Sequence, residues 1–116
     1  MEHTIRPWGE YKKLFQEAGV WVKRVEVKPS ARLSLQKHNK RSEKWIIVSG
    51  TGKAEVAGQE HILNPGSIID VSSEVVHRIT NIGKNHLVFI EVACGSYLGE
   101  DDIIRLQDDY EREDMP

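Results

Sequence analysis

The chain of 116 residues contains one cysteine, Cys94, so it cannot close an internal disulfide. That excludes the disulfide-stapled secreted scaffolds and fits a reducing compartment. It also lacks an excess of either charge. With 16 Lys+Arg against 18 Asp+Glu and a formal net charge of -2, there is no electrostatic reason to expect a nucleic-acid partner. No apolar run approaches the roughly 20 residues needed to cross a bilayer. The start, Met1 to Arg6, has no apolar core like that of a signal peptide. A cytoplasmic protein with no membrane partner is therefore expected. Internal repeats, low-complexity tracts and linkers are missing too, and the length suits one core of ordinary size, so a single domain over residues 1–116 is expected.

What is present is a series of short segments rich in Val, Ile and Trp, separated by glycines and prolines, which predicts an all-β protein. Trp21 to Lys28 alternates, with Trp21, Val25 and Val27 on one face and Arg24, Glu26 and Lys28 on the other. Leu33 to His38 alternates again and puts Gln36 and His38 on a shared face. Glu43 to Ser49 is almost continuously apolar, Ser49-Gly50-Thr51-Gly52 breaks it, and Lys53 to Val56 resumes a strand. Ser67 to Val71, Val75 to Thr80 and His86 to Ala93 complete seven or eight strands, the pattern of a sandwich or barrel. Asn64-Pro65-Gly66 is a strong turn signal between them. After Gly95 the chain turns acidic, and the short apolar stretch Ile103 to Leu106 predicts a turn and a short helix. Trp8, Trp21 and Trp45 are read as core, and Cys94 as a small buried residue.

One constellation carries chemistry. Gln36, His38 and Glu43 are oxygen and nitrogen donors, and Glu43 shares its strand face with Trp45 and Ile47. A carboxylate pointing into a barrel is costly unless it is paired or bound to metal. His77, on a face with Ile79 and Asn81, is a further candidate donor.

At these residues the sequence resembles the cupin superfamily. Ser30, Gln36, His38, Glu43 and Gly50 stand in the register of its first motif, and Gly66, His77 and Asn81 in that of its second. Ser30 replaces the first motif's leading glycine, while Ser72 and Glu74 replace the proline and middle glycine of the second. Within the superfamily the chain is most similar to the type II mannose-6-phosphate isomerase domain of bifunctional guanylyltransferase enzymes, from Arg6 to about Arg112. The matching pieces include Arg6-Pro7-Trp8-Gly9, Arg41-x-Glu43-x-Trp45 and Gly95-x-Tyr97-Leu98-Gly99-Glu100-Asp101-Asp102-Ile103. The resemblance implies a small cupin barrel (double-stranded β-helix or jelly roll) and a Gln36, His38, Glu43, His77 site for a divalent metal ion, whether zinc, manganese, iron or cobalt. It also implies interconversion of mannose 6-phosphate and fructose 6-phosphate. Lys44 departs from the family's histidine after the ligand glutamate but falls on the opposite strand face, so the ligand set is expected to survive. No nucleotide-binding start is present, so guanylyltransferase activity is not implied.

Aldose-ketose isomerisation needs an oxygen polarised, negative charge held and a proton moved between C1 and C2. Glu74, His86 and Glu91 are the candidate proton carriers, with Glu74 and Glu91 the catalytic assignments. Arg41 and Arg78 are the candidate contacts to the phosphate of a small phosphorylated sugar, because guanidinium binds phosphate oxygens bidentately. The acidic run Glu100 to Asp102 is read as a solvated turn or a segment closing over the site. A homodimer is expected from the exposed edges of a small barrel. Two other functional classes share this fold: a metal-binding cupin that holds a sugar or effector without turnover, and, more weakly, a cupin dioxygenase.

Overall fold

The computed structural model describes residues 2–99 and 101–110. In chain order the strands are β1 (Glu2–Arg6), β2 (Gly9–Glu17), β3 (Val20–Val27), β4 (Leu35–Lys37), β5 (Arg41–Ser49), β6 (Gly52–Val56), β7 (Gln59–Leu63), β8 (Ile68–Val71), β9 (His77–Asn81), β10 (Leu87–Gly95) and β11 (Ile104–Gln107). They form two antiparallel sheets, in the orders β1-β2-β3-β10-β5-β8 and β11-β4-β9-β6-β7. The two inner faces share one core that includes Trp8, Val27, Trp45, Leu63, Ile79 and Phe89. This is the sandwich closed into a barrel that the alternating pattern predicts.

The alternation is followed closely on the strands that matter for the site. On β3, Trp21, Lys23, Val25 and Val27 are buried and the residues between them are not. On β5, Arg41, Glu43, Trp45 and Ile47 point inward, while Lys44 lies outside against Asp70, at 3.5 Å. On β10, Leu87, Phe89, Glu91 and Ala93 are buried. All three tryptophans are core residues.

Four expectations need correction. Ile103 to Leu106 is not helical: Ile104–Gln107 forms β11 and pairs antiparallel with β4. A short apolar stretch carries no reliable period, and here the open edge of β4 supplies the backbone partners that decide its state. Cys94 is exposed, because inward-facing Ala93 puts its neighbour on the outer face of β10. Two N-terminal strands and β7 add to the seven or eight expected; β1 and β2 pair as a hairpin whose sequence mixes charge and apolar residues on both faces. The strand expected over Leu33 to His38 shrinks to Leu35–Lys37, with an isolated bridge between Arg32 and Thr80.

Backbone demands explain parts of the motif. Gly50 has φ 87°, and a Cβ there would lie 2.6 Å from the His86 carbonyl oxygen. Ser30 and Glu74, which stand where the cupin motifs have glycine, both adopt left-handed φ, 65° and 66°. Both positions therefore hold a backbone conformation that suits glycine better than the residue present. Asn81 is structural: its Nδ2 donates to the carbonyls of Val27 (2.9 Å) and Asn85 (2.8 Å), and its Oδ1 accepts from the Gly83 N–H at 2.9 Å.

Candidate functional site

Strands β4, β5 and β9 bring the predicted donors together. Gln36 lies directly across the β4–β9 pair from His77, and both are buried. One ligand atom from each of His38, Glu43 and His77 lies within 4.8 Å of the others. His77 Nδ1 donates to the Val75 carbonyl at 2.9 Å, which fixes the tautomer and leaves Nε2 with its lone pair. That Nε2 is buried and has no hydrogen-bond partner. An acceptor nitrogen held in this way among an imidazole and a carboxylate is what a transition-metal site requires, so the residues present fit a divalent metal.

Glu43 is held from two sides. Trp45 Nε1 donates to Oε1 at 3.0 Å and Arg41 Nε to Oε2 at 2.9 Å. Burial alone would raise its pKa, but the Arg41 charge beside it wins and holds the carboxyl down at about 2. Arg41 Nη2 also donates to His38 Nε2 at 2.7 Å. Burial pushes the His38 pKa down to about 4, so this imidazole is neutral near pH 7; its one lone pair, on Nε2, accepts from Arg41 here, and a metal at this nitrogen would take the place of that hydrogen bond.

Gln36, His38 and Glu43 open onto a cavity lined also by Arg6, Tyr11, Lys23, Arg41, Glu91 and Arg105. Glu91 accepts a 3.0 Å hydrogen bond from Trp21 Nε1. Burial, with the charge of Glu43 adding, pushes its pKa up to about 8 although Lys23 and Arg41 oppose the shift. Of the three proton-carrier candidates, Glu91 lines the cavity. Glu74 is exposed on the turn before β9, and His86 is exposed and faces Glu26 at 3.5 Å. The two arginines also differ. Arg41 lines the cavity, whereas Arg78 is buried with Nε donating to Leu33 O (2.9 Å) and Nη2 to Gln107 O (3.1 Å), tying β9 to the chain on either side of it.

The acidic run contributes through Asp102, whose carboxylate accepts from the backbone N–H groups of Asn39 (3.1 Å) and Lys40 (3.0 Å), directly after His38. Glu100, in the same run, lies outside the described residues, as does Arg112 at the end of the resemblance. Lys23 was absent from the sequence-based candidates. Its signal was parity, a lysine between Trp21 and Val25 on the face that alternation assigns to the interior.

A two-sheet β-barrel with inward His, Glu and Gln donors defines a cupin. Solved structures support the fold: capsular polysaccharide assembling protein CapF from Staphylococcus aureus superposes with a TM-score of 0.81 at 18% identity, covering 91% of this chain and 34% of that one. KdgF from Halomonas sp. does so at 0.76 and 17%, covering 87% and 90%. Within the cupins, the chain belongs to the family described as Mannose-6-phosphate isomerase C-terminal, which it matches over residues 1–108. Among similar proteins, alginate biosynthesis protein AlgA of Pseudomonas aeruginosa is 48% identical over 97% of this chain. Xanthan biosynthesis protein XanB of Xanthomonas campestris pv. campestris is 50% identical over 94%. A mannose-1-phosphate guanylyltransferase of Salmonella montevideo is 44% identical over 94%. The chain spans about a quarter of the length of these relatives, from 23% to 24%. Among the described residues no helix is long and apolar enough to cross a membrane.

Proposed function

We propose that the protein is a metal-dependent sugar-phosphate isomerase that interconverts mannose 6-phosphate and fructose 6-phosphate. The observation that carries the reading is the buried, unpartnered His77 Nε2 beside His38 and Glu43, the latter two lining a cavity that also holds Glu91. A divalent metal held by Gln36, His38, Glu43 and His77 would supply polarisation of a substrate oxygen and a counter-charge for an enediol.

The remaining work falls to the chain's own side chains. Glu91 is the proton carrier: with a pKa of about 8 it exchanges its proton readily near neutrality, its ionised fraction taking the C2 proton and its acid form returning one to C1. Trp21 Nε1 orients that carboxyl. Arg41, bonded to both His38 and Glu43, sets the ligand side chains and adds positive charge where the enediol forms. Trp8, Trp45 and Phe89 line the cavity and limit water around the reacting carbons. A place in polysaccharide precursor synthesis belongs to the same reading, supported by relatives named for alginate and xanthan biosynthesis, and a cytoplasmic homodimer is proposed with it.

The test is product formation. Metal-loaded protein should convert mannose 6-phosphate to fructose 6-phosphate, and His38→Ala and His77→Ala should each lose both tight metal binding and turnover. If the loaded protein turns over no hexose or pentose phosphate, the enzyme reading fails and a non-catalytic sugar-binding cupin takes its place.

A further inference from the structure

From the donors outward, the cavity carries a series of cations supported on two aromatic rings. Arg41, bonded to His38 and Glu43, has its guanidinium carbon 4.7 Å from the Trp21 ring centroid. Lys23 Nζ lies 3.8 Å from that same ring and 4.1 Å from the ring of Tyr11. Arg6 stacks over Tyr11 in turn, at 5.7 Å. Arg41, Lys23 and Arg6 are therefore linked through the Trp21 and Tyr11 rings along the cavity wall, with Arg41 and Lys23 buried and Arg6, half-buried, the member most open to solvent.

Lys23 is the unusual member. It sits at 4% exposure on a strand face otherwise given to Trp21, Val25 and Val27, directly opposite Glu91 in the β3–β10 register. A lysine in such a position bears a desolvation cost, and cation-π contacts to two rings offset part of it. Arg6 reaches the same ring from β1, a strand at the far edge of the sheet. Two cations brought by separate strands to one aromatic platform suit an anion with several oxygens.

We propose that Lys23 and Arg6, which share the Tyr11 ring, form the subsite for the phosphate of a hexose 6-phosphate. This rests on the isomerase reading for the identity of the sugar and extends it by assigning the phosphate. A 6-phosphate is separated from the reacting C1 and C2 by the rest of the carbon chain, so it cannot sit at the donors while those carbons react there. Arg41 is bonded to His38 and Glu43, Arg78 is directed to backbone carbonyls, and Arg105, also on the cavity wall, lies 4.0 Å from Asp108, whereas Lys23 and Arg6 meet at Tyr11.

The experiment measures binding of mannose 6-phosphate, mannose and inorganic phosphate to the metal-loaded full chain, by calorimetry, for the wild type, Arg6→Gln and Lys23→Gln. Metal stoichiometry is recorded for each. The expected result is that the wild type prefers mannose 6-phosphate to mannose, and that either variant loses about tenfold or more of that preference with metal stoichiometry unchanged. Arg6, being half-buried, keeps the test decisive if Lys23→Gln fails to fold. Variants that retain wild-type affinity for mannose 6-phosphate overturn the subsite, as does a wild type with no preference for the phosphorylated sugar. A wild type that binds mannose 6-phosphate through these residues but does not isomerise it preserves the subsite and removes the isomerase reading. Turnover with affinity independent of both residues does the reverse.

Discussion

Arg41 and Glu91 show how single side chains set the properties of this interior. Arg41 is the hydrogen-bonding cation next to Glu43, and removing one partner of a buried charge pair typically costs about 3–5 kcal/mol because the other is left uncompensated. Arg41→Met should therefore destabilise the chelator-treated protein by about that amount, and excess divalent metal should restore much of the loss by giving Glu43 another cation. Denaturant titrations with and without metal check both halves. Glu91 gives the pH dependence. Its folded pKa of about 8 lies above the ordinary 4.5, so the folded state binds more protons between these values, and the contribution to stability is lost as pH rises toward 8. His38, depressed to about 4 from 6.5, has the opposite sign and loses stability as pH falls from 6.5 to 4. The two slopes oppose each other up to about pH 6.5, and above it Glu91 acts alone. Metal-free protein should lose on the order of 2 kcal/mol between pH 6.5 and 8. Glu91→Gln should flatten that decline, and an unchanged slope in the variant would contradict the assignment.

At the level of elements, the donors depend on segments that contribute no donor themselves. The turn between His38 and β5 is held by Asp102, which accepts the Asn39 and Lys40 N–H groups, and by close approach of Gly95, where a Cβ would run into the Lys40 carbonyl. Asp102→Ala should leave the fold intact but weaken metal affinity by about tenfold or more, the usual effect of losing a support behind a ligand. Competition with a metallochromic chelator measures this. Ser30 carries backbone strain in the loop before β4: its φ of 65° costs an L-residue about 1–2 kcal/mol. Ser30→Gly should raise stability by about 1 kcal/mol, seen as a higher denaturation midpoint with unchanged slope. Strand β11 is the element whose state was not legible locally. Ile104–Gln107 has no clear period, and its pairing with β4, together with Arg78 bonding to Gln107 O, decides that it is extended.

Over the whole molecule, two sheets close on a core in which apolar packing and buried charge are interleaved. The sheets end in strands with open edges, β1 and β8 in one, β7 and β11 in the other. Edges of this kind invite pairing with a second copy, and Ile5 on β1 and Ile68 on β8 are both largely exposed. Sedimentation at micromolar concentration should give twice the chain mass, and a monomer there would remove the homodimer.

The sequence by itself determined the all-β class and the inward face of β3, β5 and β10, because a period of two residues assigns each side chain to a face wherever one face is apolar, while the donor set Gln36, His38, Glu43 and His77 was implied by the family resemblance and stands as the proposed metal site. The motif spacing then set those donors in order along the chain. Only the tertiary structure decided which of the charged residues meet the cavity. Arg41 and Arg78 both flank proposed ligands in the sequence, yet one guanidinium bonds His38 and Glu43 while the other, on the face of β9 opposite His77, reaches Leu33 and Gln107. Glu74 and Glu91 are equally plausible carboxyls in sequence, but one lies on an exposed turn and the other on the buried face of β10. Lys23 and Arg6 become neighbours through Tyr11, on the strand between theirs. Alternation gives the face of a strand, but the reach of a long side chain depends on which strand the sheet order places beside it, and that order is set by long-range pairing.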